Sequence, residues 1–176
     1  REVRPLLPNT RLIVKLPPVT TGTPHTIIDL ARACIDPGEG AQPTGPNARP
    51  GCDALSLCNT TPGMAIDVRT RRPRLGNGMG GMSGPAVKPI ALRMTYQCAR
   101  ACTIPVIGCG GIATLDDVLE FLIAGASAVQ VGTATFQSPT VMARLVAELG
   151  DWMQAQGLAS LSEIIGSVEM PEGEAA

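Results

Sequence analysis

The sequence predicts an α/β protein built on a parallel sheet. Short apolar runs alternate along the chain with segments whose apolar residues recur every three to four positions. The runs read as apolar on both faces, as strands do when helices cover a parallel sheet. At 176 residues and 44% hydrophobic content, the chain is long enough for one such domain with a core.

Four strand-helix units account for most of the chain. The first helix begins near Pro24, and the second has Pro85 in its first turn, where its missing amide costs nothing. In the third helix, Thr114 can cap the first turn while Asp116 and Asp117 favour the positive end of the helix dipole. The predicted strands are 11–16, 53–60, 104–108 and 127–131, and the predicted helices are 24–35, 84–101, 114–126 and 138–157.

Composition excludes several classes of function. A net charge of -1, a pI near 5.8 and 2% aromatic residues provide neither a basic surface nor stacking rings for nucleic acid. No apolar run reaches the roughly 18 residues of a membrane span, and the N-terminus has no signal-peptide pattern. We therefore expect a cytoplasmic protein, and because it begins at Arg1 we expect sequence upstream.

The cysteines indicate free thiols. Six cysteines without a secretory signal are more typical of a reducing compartment than of a disulfide framework. Cys98 and Cys102 have a helical spacing that packs small side chains more often than it binds metal, and His25 is the only histidine. The sequence predicts no metal site.

Two glycine turns follow the third and fourth strands. Gly110 and Gly111 come after IPVIG, and Gly132 and Thr133 come after SAVQV. Four such units fit part of a doubly wound sheet or part of an eight-stranded barrel. In barrels, the loops after the last two strands commonly bind phosphate through exposed backbone amides, so the paired turns favour a barrel with a phosphate site. The alternative is that the glycines only turn the chain.

A third glycine cluster imitates a dinucleotide-binding motif. Gly76, Gly78 and Gly81 match G-x-G-x-x-G, but this motif needs a preceding strand and an acidic residue about twenty positions later. The segment before it, 66–75, reads as a polar hairpin, and no acid lies near residue 101. We reject the dinucleotide interpretation.

Polar residues follow the first two strands. Lys15 interrupts an apolar strand, where a charge is costly without a partner, and the partner is either an anionic flavin ring or a neighbouring carboxylate. Asn59 and Thr60 follow the second strand, where barrel active sites lie, although Thr60 and Thr61 also suit an ordinary loop before Pro62.

These residues carry a resemblance to a known family. The segments NTTPGMAIDVRTRRPRLGNGMGGMSGPAVKPIALRMTYQ (59–97) and IPVIGCGGIATLDDVLEFLIAGASAVQVGTATF (104–136) resemble the C-terminal half of a class 1 dihydroorotate dehydrogenase. The similarity is greatest to the catalytic subunit of the heteromeric, NAD-linked class 1B type and runs from about Leu12 to Leu149.

The resemblance implies an FMN-containing (β/α)8 barrel that oxidises dihydroorotate to orotate in pyrimidine biosynthesis. By this similarity Lys15 contacts the isoalloxazine ring, Asn59 and Thr60 bind the pyrimidine, and the other matching positions bind FMN. Those FMN positions are Cys58 through its backbone, Gly84, and the phosphate turns Gly110 with Gly111 and Gly132 with Thr133. Electrons are expected to pass to a partner subunit carrying FAD and a 2Fe-2S cluster and then to NAD, and the catalytic subunits are expected to form a homodimer.

The family's catalytic base is a cysteine on a loop in the first half of the barrel, so none of the six cysteines here is assigned that role. The fragment alone is therefore expected to be inactive and, with open sheet edges, to associate. The alternatives are a flavin domain like that of dihydropyrimidine dehydrogenase and a truncated half-barrel without activity.

Two segments depart from the family pattern. A Pro- and Gly-rich insertion at about 36–52 is expected on the helix-to-strand side, away from the active face. We assign 1–156 to the half-barrel and 157–176 to a C-terminal helix with a frayed acidic tail.

Overall fold

The computed structural model describes residues 10–19, 24–36 and 51–171. Most of the secondary structure predicted from the sequence is present, including the polar hairpin at 66–75, and one short antiparallel ribbon and a short helix are added to it. In chain order the elements are β1 (Ile13–Lys15), α1 (Ile27–Ile35), β2 (Ala54–Leu57), β3 (Thr61–Gly63), β4 (Ile66–Asp67), β5 (Arg72–Pro73), β6 (Gly80–Met82), α2 (Lys88–Ala101), β7 (Val106–Cys109), α3 (Leu115–Ile123), β8 (Ala128–Gln130), α4 (Ala134–Gln137) and α5 (Val141–Gln156).

The main sheet has four parallel strands in the order β1-β2-β7-β8. Lys15 pairs with Ser56, Ser56 with Ile107, and Cys109 with Gln130, so the strands end at a common edge. Each strand is followed by a helix before the next strand of the sheet begins. The predicted α/β class with four strand-helix units is therefore confirmed.

The helices pack on one face of this sheet. Leu55 and Leu57 are fully buried there, and the ring of Phe121 lies on Gly108 so closely that any side chain at 108 would overlap it. On the other face Ile13 is 52% exposed and Gln130 is also exposed. The prediction of strands buried on both faces is thus wrong for β1 and β8, because the described helices cover only one face.

The two ends of the predicted insertion at about 36–52 lie in the described part of the chain. Asp36 ends α1, and Cys52 is buried and donates its backbone amide to the Cys34 carbonyl at 2.9 Å. The described residues on either side of the predicted insertion therefore meet between the end of α1 and the start of β2. Residues 37–50 themselves lie outside the described residues.

The segment with the G-x-G-x-x-G spacing belongs to an antiparallel excursion. Strands β4 and β5 form the predicted polar hairpin, and β3 pairs with β6. Gly81 in β6 lies directly under the side chain of Thr60, so a Cβ at this position would overlap that hydroxyl. This packing explains why residue 81 is glycine without any role in dinucleotide binding.

Helix boundaries follow their capping residues. Thr114 and Asp117 form a capping box at α3, and Thr26 with Asp29 forms one at α1. A 3-10 turn at Pro85–Val87 precedes α2, so the helix proper begins three residues after Pro85. The predicted C-terminal helix is reduced to a 3-10 turn at Leu161–Glu163. No helix in the described ranges combines the length and apolar character needed to cross a membrane.

Candidate functional site

A cavity of about 180 Å³ lies at the carboxyl ends of the four parallel strands. All nine residues that the sequence singled out line it: Lys15, Cys58, Asn59, Thr60, Gly84, Gly110, Gly111, Gly132 and Thr133. The volume is below the roughly 300–1,000 Å³ of complete small-molecule pockets, so these walls have room for only part of a ligand of that size.

The sheet explains why residues far apart in sequence meet here. Lys15 ends β1, Cys58 follows β2, Gly110 follows β7, and Gly132 lies two residues beyond β8. In a parallel sheet whose strands are in register, these positions share one edge. This is the edge at which α/β sheets and barrels bind ligands.

The glycines of the cavity differ in what a side chain would meet at each position. Gly110 and Gly111 have φ values of 139° and 77°, a region that side chains rarely adopt. A Cβ on Gly111 would also lie 2.8 Å from Lys88 Cβ and 3.0 Å from the Gly84 carbonyl oxygen. At Gly132 a Cβ would meet no protein atom within 4 Å, so the described protein places no steric demand for glycine there and the space remains free for a ligand.

The turns present backbone amides that the described part of the chain does not use. Within that part, no hydrogen bond is donated by the amides of Gly110, Gly111, Gly132 or Thr133. Backbone amides near a buried edge normally find a partner, and converging free amides are a typical anion site. A phosphate group therefore fits the donors that this cavity offers.

An ionic cluster lies behind the first turn. Lys88 Nζ donates to Asp117 Oδ1 at 2.7 Å and to Glu120 Oε1 at 3.0 Å, while Asp117 Oδ2 accepts the amides of Ala113 and Thr114. Burial alone would raise the pKa of Asp117, but the hydrogen bonds from Lys88 and the two amides lower it to about 2. The same contacts raise the pKa of Lys88.

Lys15 does not occupy the buried position that its apolar neighbours suggest. Its side chain is exposed on the open face of the sheet, and Nζ donates to Cys109 Sγ at 3.7 Å. Among the described residues no carboxylate oxygen lies within 4.0 Å of Nζ, so the ion-pair alternative has no support there. The ammonium group remains available to a ligand in the cavity.

Cys58 and Cys109 form the wall between Lys15 and the glycine turns. The Cys58 amide donates to the Cys109 carbonyl at 2.8 Å, joining the ends of β2 and β7. Burial raises the pKa of the Cys58 thiol to about 11, with a smaller contribution from Cys109 and an opposing one from Lys15. At neutral pH Cys58 is therefore a protonated thiol that contributes packing and its backbone.

Asn59 and Thr60 lie at the mouth of the cavity. The Asn59 amide donates to the Leu16 carbonyl at 2.9 Å, which ties this loop to the end of β1. Asn59 Oδ1 accepts the Thr60 amide at 2.9 Å, and both side chains are exposed. Their polar groups are thus held beside the cavity and open to it.

Sequence reasoning missed other residues of the cavity wall. Cys109 had a usable signal, because it lies two residues after Ile107 in β7 and so points to the same side of the sheet as Ile107, the side that the strand register shares with Lys15. The rest follow turns whose shape sequence does not specify: Ser83, Pro85, Val87, Ile112, Ala113, Ala134 and Gln137. In the described part of the chain, no group of three or more His, Cys, Asp or Glu residues is arranged to hold a metal ion.

Comparison with known proteins agrees with this geometry. The family model described as dihydroorotate dehydrogenase matches residues 47–153, which is more than half of the chain. The chain belongs to the dihydroorotate dehydrogenase family. The matched region contains eight of the nine residues that line the cavity, all except Lys15.

Similar curated proteins include both named types of dihydroorotate dehydrogenase. A Solibacter usitatus protein named dihydroorotate dehydrogenase A (fumarate) is 59% identical over 119 residues, 68% of this chain and 39% of the relative. Catalytic subunits named dihydroorotate dehydrogenase B (NAD(+)) are 49% identical in Trichlorobacter lovleyi and 50% in Geobacter sulfurreducens, over 90% of this chain and 46% and 47% of the relatives.

These matches establish the family and cover part of its members' length. The similarity to B-type catalytic subunits predicted from the sequence is confirmed across nine-tenths of the chain. The chain spans less than half the length of the curated relatives it matches.

Proposed function

We propose that the protein carrying this chain is an FMN-dependent dehydrogenase that oxidises dihydroorotate to orotate in pyrimidine biosynthesis. The observation that carries the proposal is the cavity, where nine residues singled out from the sequence meet around free backbone amides in a member of this family. This chain supplies the phosphate end of the flavin site and part of the pyrimidine pocket.

The cavity residues suit the parts of FMN. The turns at Gly110–Gly111 and Gly132–Thr133 offer amides to the phosphate, while Gly84 and the backbone of Cys58 line the space between them and Lys15. When bound, FMN supplies the hydride acceptor. Lys15 would then place its positive charge beside the ring, where it would favour the negative charge of the reduced form.

Asn59 and Thr60 are proposed to orient the pyrimidine. Their amide and hydroxyl groups provide the donors and acceptors that the edges of the substrate ring require, and both are open to the cavity. Proton removal is assigned to a base outside this chain, since the resemblance puts that cysteine on a loop of the other half. Cys58, whose pKa is raised to about 11, is unsuited to the role.

The electron acceptor and the partners belong to the same proposal. Similarity over nine-tenths of the chain to subunits named for NAD(+) supports NAD as final acceptor, reached through a partner subunit carrying FAD and a 2Fe-2S cluster. The shorter match, to a protein named for fumarate, makes fumarate the competing acceptor. A homodimer of catalytic subunits is expected, and the six free thiols support a reducing, cytoplasmic location.

Anaerobic mixing with substrate tests the proposed activity. The full-length protein loaded with FMN is mixed with dihydroorotate, and in a parallel sample with dihydrouracil, while flavin absorbance is followed. The proposal predicts that dihydroorotate bleaches the flavin and releases orotate, with no bleaching by dihydrouracil. Bleaching by dihydrouracil alone would transfer the assignment to a dihydropyrimidine dehydrogenase, and bleaching by neither would refute a dehydrogenase of either kind.

A further inference from the structure

A buried carboxylate, that of Asp117, joins two parts of the cavity wall. It contacts the start of α2, which follows the Gly84 turn, and the residues that follow the Gly110–Gly111 turn. Asp117, in the first turn of α3, is 8% exposed. Its Oδ1 accepts Lys88 Nζ at 2.7 Å, and its Oδ2 accepts the amides of Ala113 and Thr114 at 2.8 Å each. Both carboxylate oxygens are therefore engaged, one by the start of α2 and the other by the residues directly after the Gly110–Gly111 turn.

The backbone of Lys88 touches the same turn. A Cβ on Gly111 would lie 2.9 Å from Lys88 N and 3.0 Å from the Gly84 carbonyl oxygen. The turns at Gly84 and Gly111 thus contact each other, and the Lys88–Asp117 ion pair bridges the two helices that follow them. Because an ion pair of this kind is short and partly buried, it resists separation of the two turns more than a surface pair would.

We propose that Asp117 and Lys88 are positioning residues that set the spacing of the Gly84 and Gly110–Gly111 turns and thereby the affinity for the phosphate of the flavin. Neither residue lines the cavity, so both act through the backbone of the turns. The inference rests on the proposed function, since it assumes that the phosphate lies at these turns.

A positioning role and a purely electrostatic role predict opposite results for one substitution. Asp117→Asn keeps an oxygen that can accept the Ala113 and Thr114 amides but cannot accept the ammonium of Lys88 as well. If only charge mattered, removing a negative charge near the phosphate would strengthen FMN binding. If positioning matters, the turns lose their bridge and FMN binding weakens.

The experiment compares FMN with riboflavin, which lacks the phosphate, in the full-length protein carrying this chain. For Asp117→Asn we expect the FMN Kd to rise about fivefold to tenfold while the riboflavin Kd changes less than about twofold. Lys88→Met should show the same pattern, and that loss should persist in high salt, which screens a direct charge effect. Lys88→Arg should recover most of the affinity.

Glu120→Gln is the matched control. Glu120 contacts the same ammonium at 3.0 Å but no amide of the turn, and its side chain is 43% exposed. We expect this variant to change the FMN Kd by less than about twofold.

Each other outcome overturns the inference. Unchanged or tighter FMN binding in Asp117→Asn would refute positioning, as would an equal loss of FMN and riboflavin, which indicates general loosening. Should Asp117→Asn fail to fold, an unchanged FMN Kd in Lys88→Met would refute it, and so would a loss that disappears in high salt. If the unsubstituted protein binds neither flavin, the proposed function fails as well, which distinguishes the two failures.

Discussion

At the scale of single residues, substitutions at two glycines of the cavity distinguish an effect on protein stability from an effect on FMN binding. Gly111→Ala forces a side chain into φ 77° and against Lys88 and Gly84, so we expect a loss of roughly 1–3 kcal/mol in the free energy of unfolding together with weaker FMN binding. Gly132→Ala meets no protein atom within 4 Å. Gly132→Ala should change the free energy of unfolding by less than about 0.5 kcal/mol. It should weaken FMN binding, because the added methyl group takes cavity space. Denaturant unfolding and FMN titration of both variants check this, and equal stability losses would contradict it.

Lys15 illustrates what sequence could and could not predict about a residue. Its position at the end of a strand predicted a place at the active edge, and it does line the cavity. Its burial was predicted wrongly, because the apolar residues around it point alternately to the covered and the open face of the sheet. Which face of the sheet the described helices cover depends on the whole fold, so a run of six residues does not predict it.

Replacing Lys15 tests its assignment to the flavin ring. In the full-length protein, Lys15→Ala should slow flavin reduction by dihydroorotate more than it weakens FMN binding, since its proposed contact is with the ring and not the phosphate. Gly110→Val is the comparison, because a side chain there meets φ 139° and Ala91 Cβ and should release FMN. Equal FMN loss from the two variants, measured as flavin content after gel filtration, would refute the assignment.

Asp117 also makes a prediction about pH. Its pKa is lowered from 3.8 to about 2, so it stabilises the folded state above its unfolded-state pKa, and this contribution disappears as pH falls from about 4 to about 2. The contribution amounts to about 2 kcal/mol. Urea unfolding of the protein and of Asp117→Asn should therefore differ at pH 6 and converge toward pH 2. A difference that is independent of pH would contradict the ionic account.

At the scale of elements, long apolar periodicity and the local polar hairpin β4–β5 were predictable, and the pairing of β3 with β6 was not. Helix α3 has its N-cap at Thr114, the residue that the sequence indicated, because the capping box is a local signal. The β3–β6 ribbon was missed because its strands have three residues each and no apolar alternation. Their pairing depends on Gly81 accommodating Thr60 across the loop, a contact between residues distant in sequence.

Helix α5 provides a matched pair of glycines for a stability test. Neither Gly150 nor Gly157 would bring a Cβ within 4 Å of another atom, but Gly157 ends the helix with φ 68°. Gly150→Ala should stabilise the protein by about 0.5–1 kcal/mol, since alanine is the better helix former. Gly157→Ala should destabilise it by roughly 1 kcal/mol, because its backbone conformation favours glycine. Thermal unfolding measures both, and shifts of the same sign would contradict this interpretation of α5.

At the scale of the whole molecule, the sheet order follows from the chain and explains the site. Four consecutive strand-helix units give neighbouring parallel strands in the order β1-β2-β7-β8, so the residues after each strand meet at one edge. This is why all nine residues singled out from the sequence line one cavity. The ion pair between Lys88 and Asp117 was not predicted, because it joins two helices through side chains whose distance only the folded chain determines.

The central claim is that this edge of the sheet holds FMN by its phosphate. The most direct measurement is the titration of the full-length protein, freed of bound flavin, with FMN and separately with riboflavin. The free amides of the two glycine turns predict that FMN binds at least about tenfold more tightly than riboflavin, because only FMN carries the group they recognise. Equal affinities for the two flavins would contradict the phosphate site and with it the proposed function of this chain.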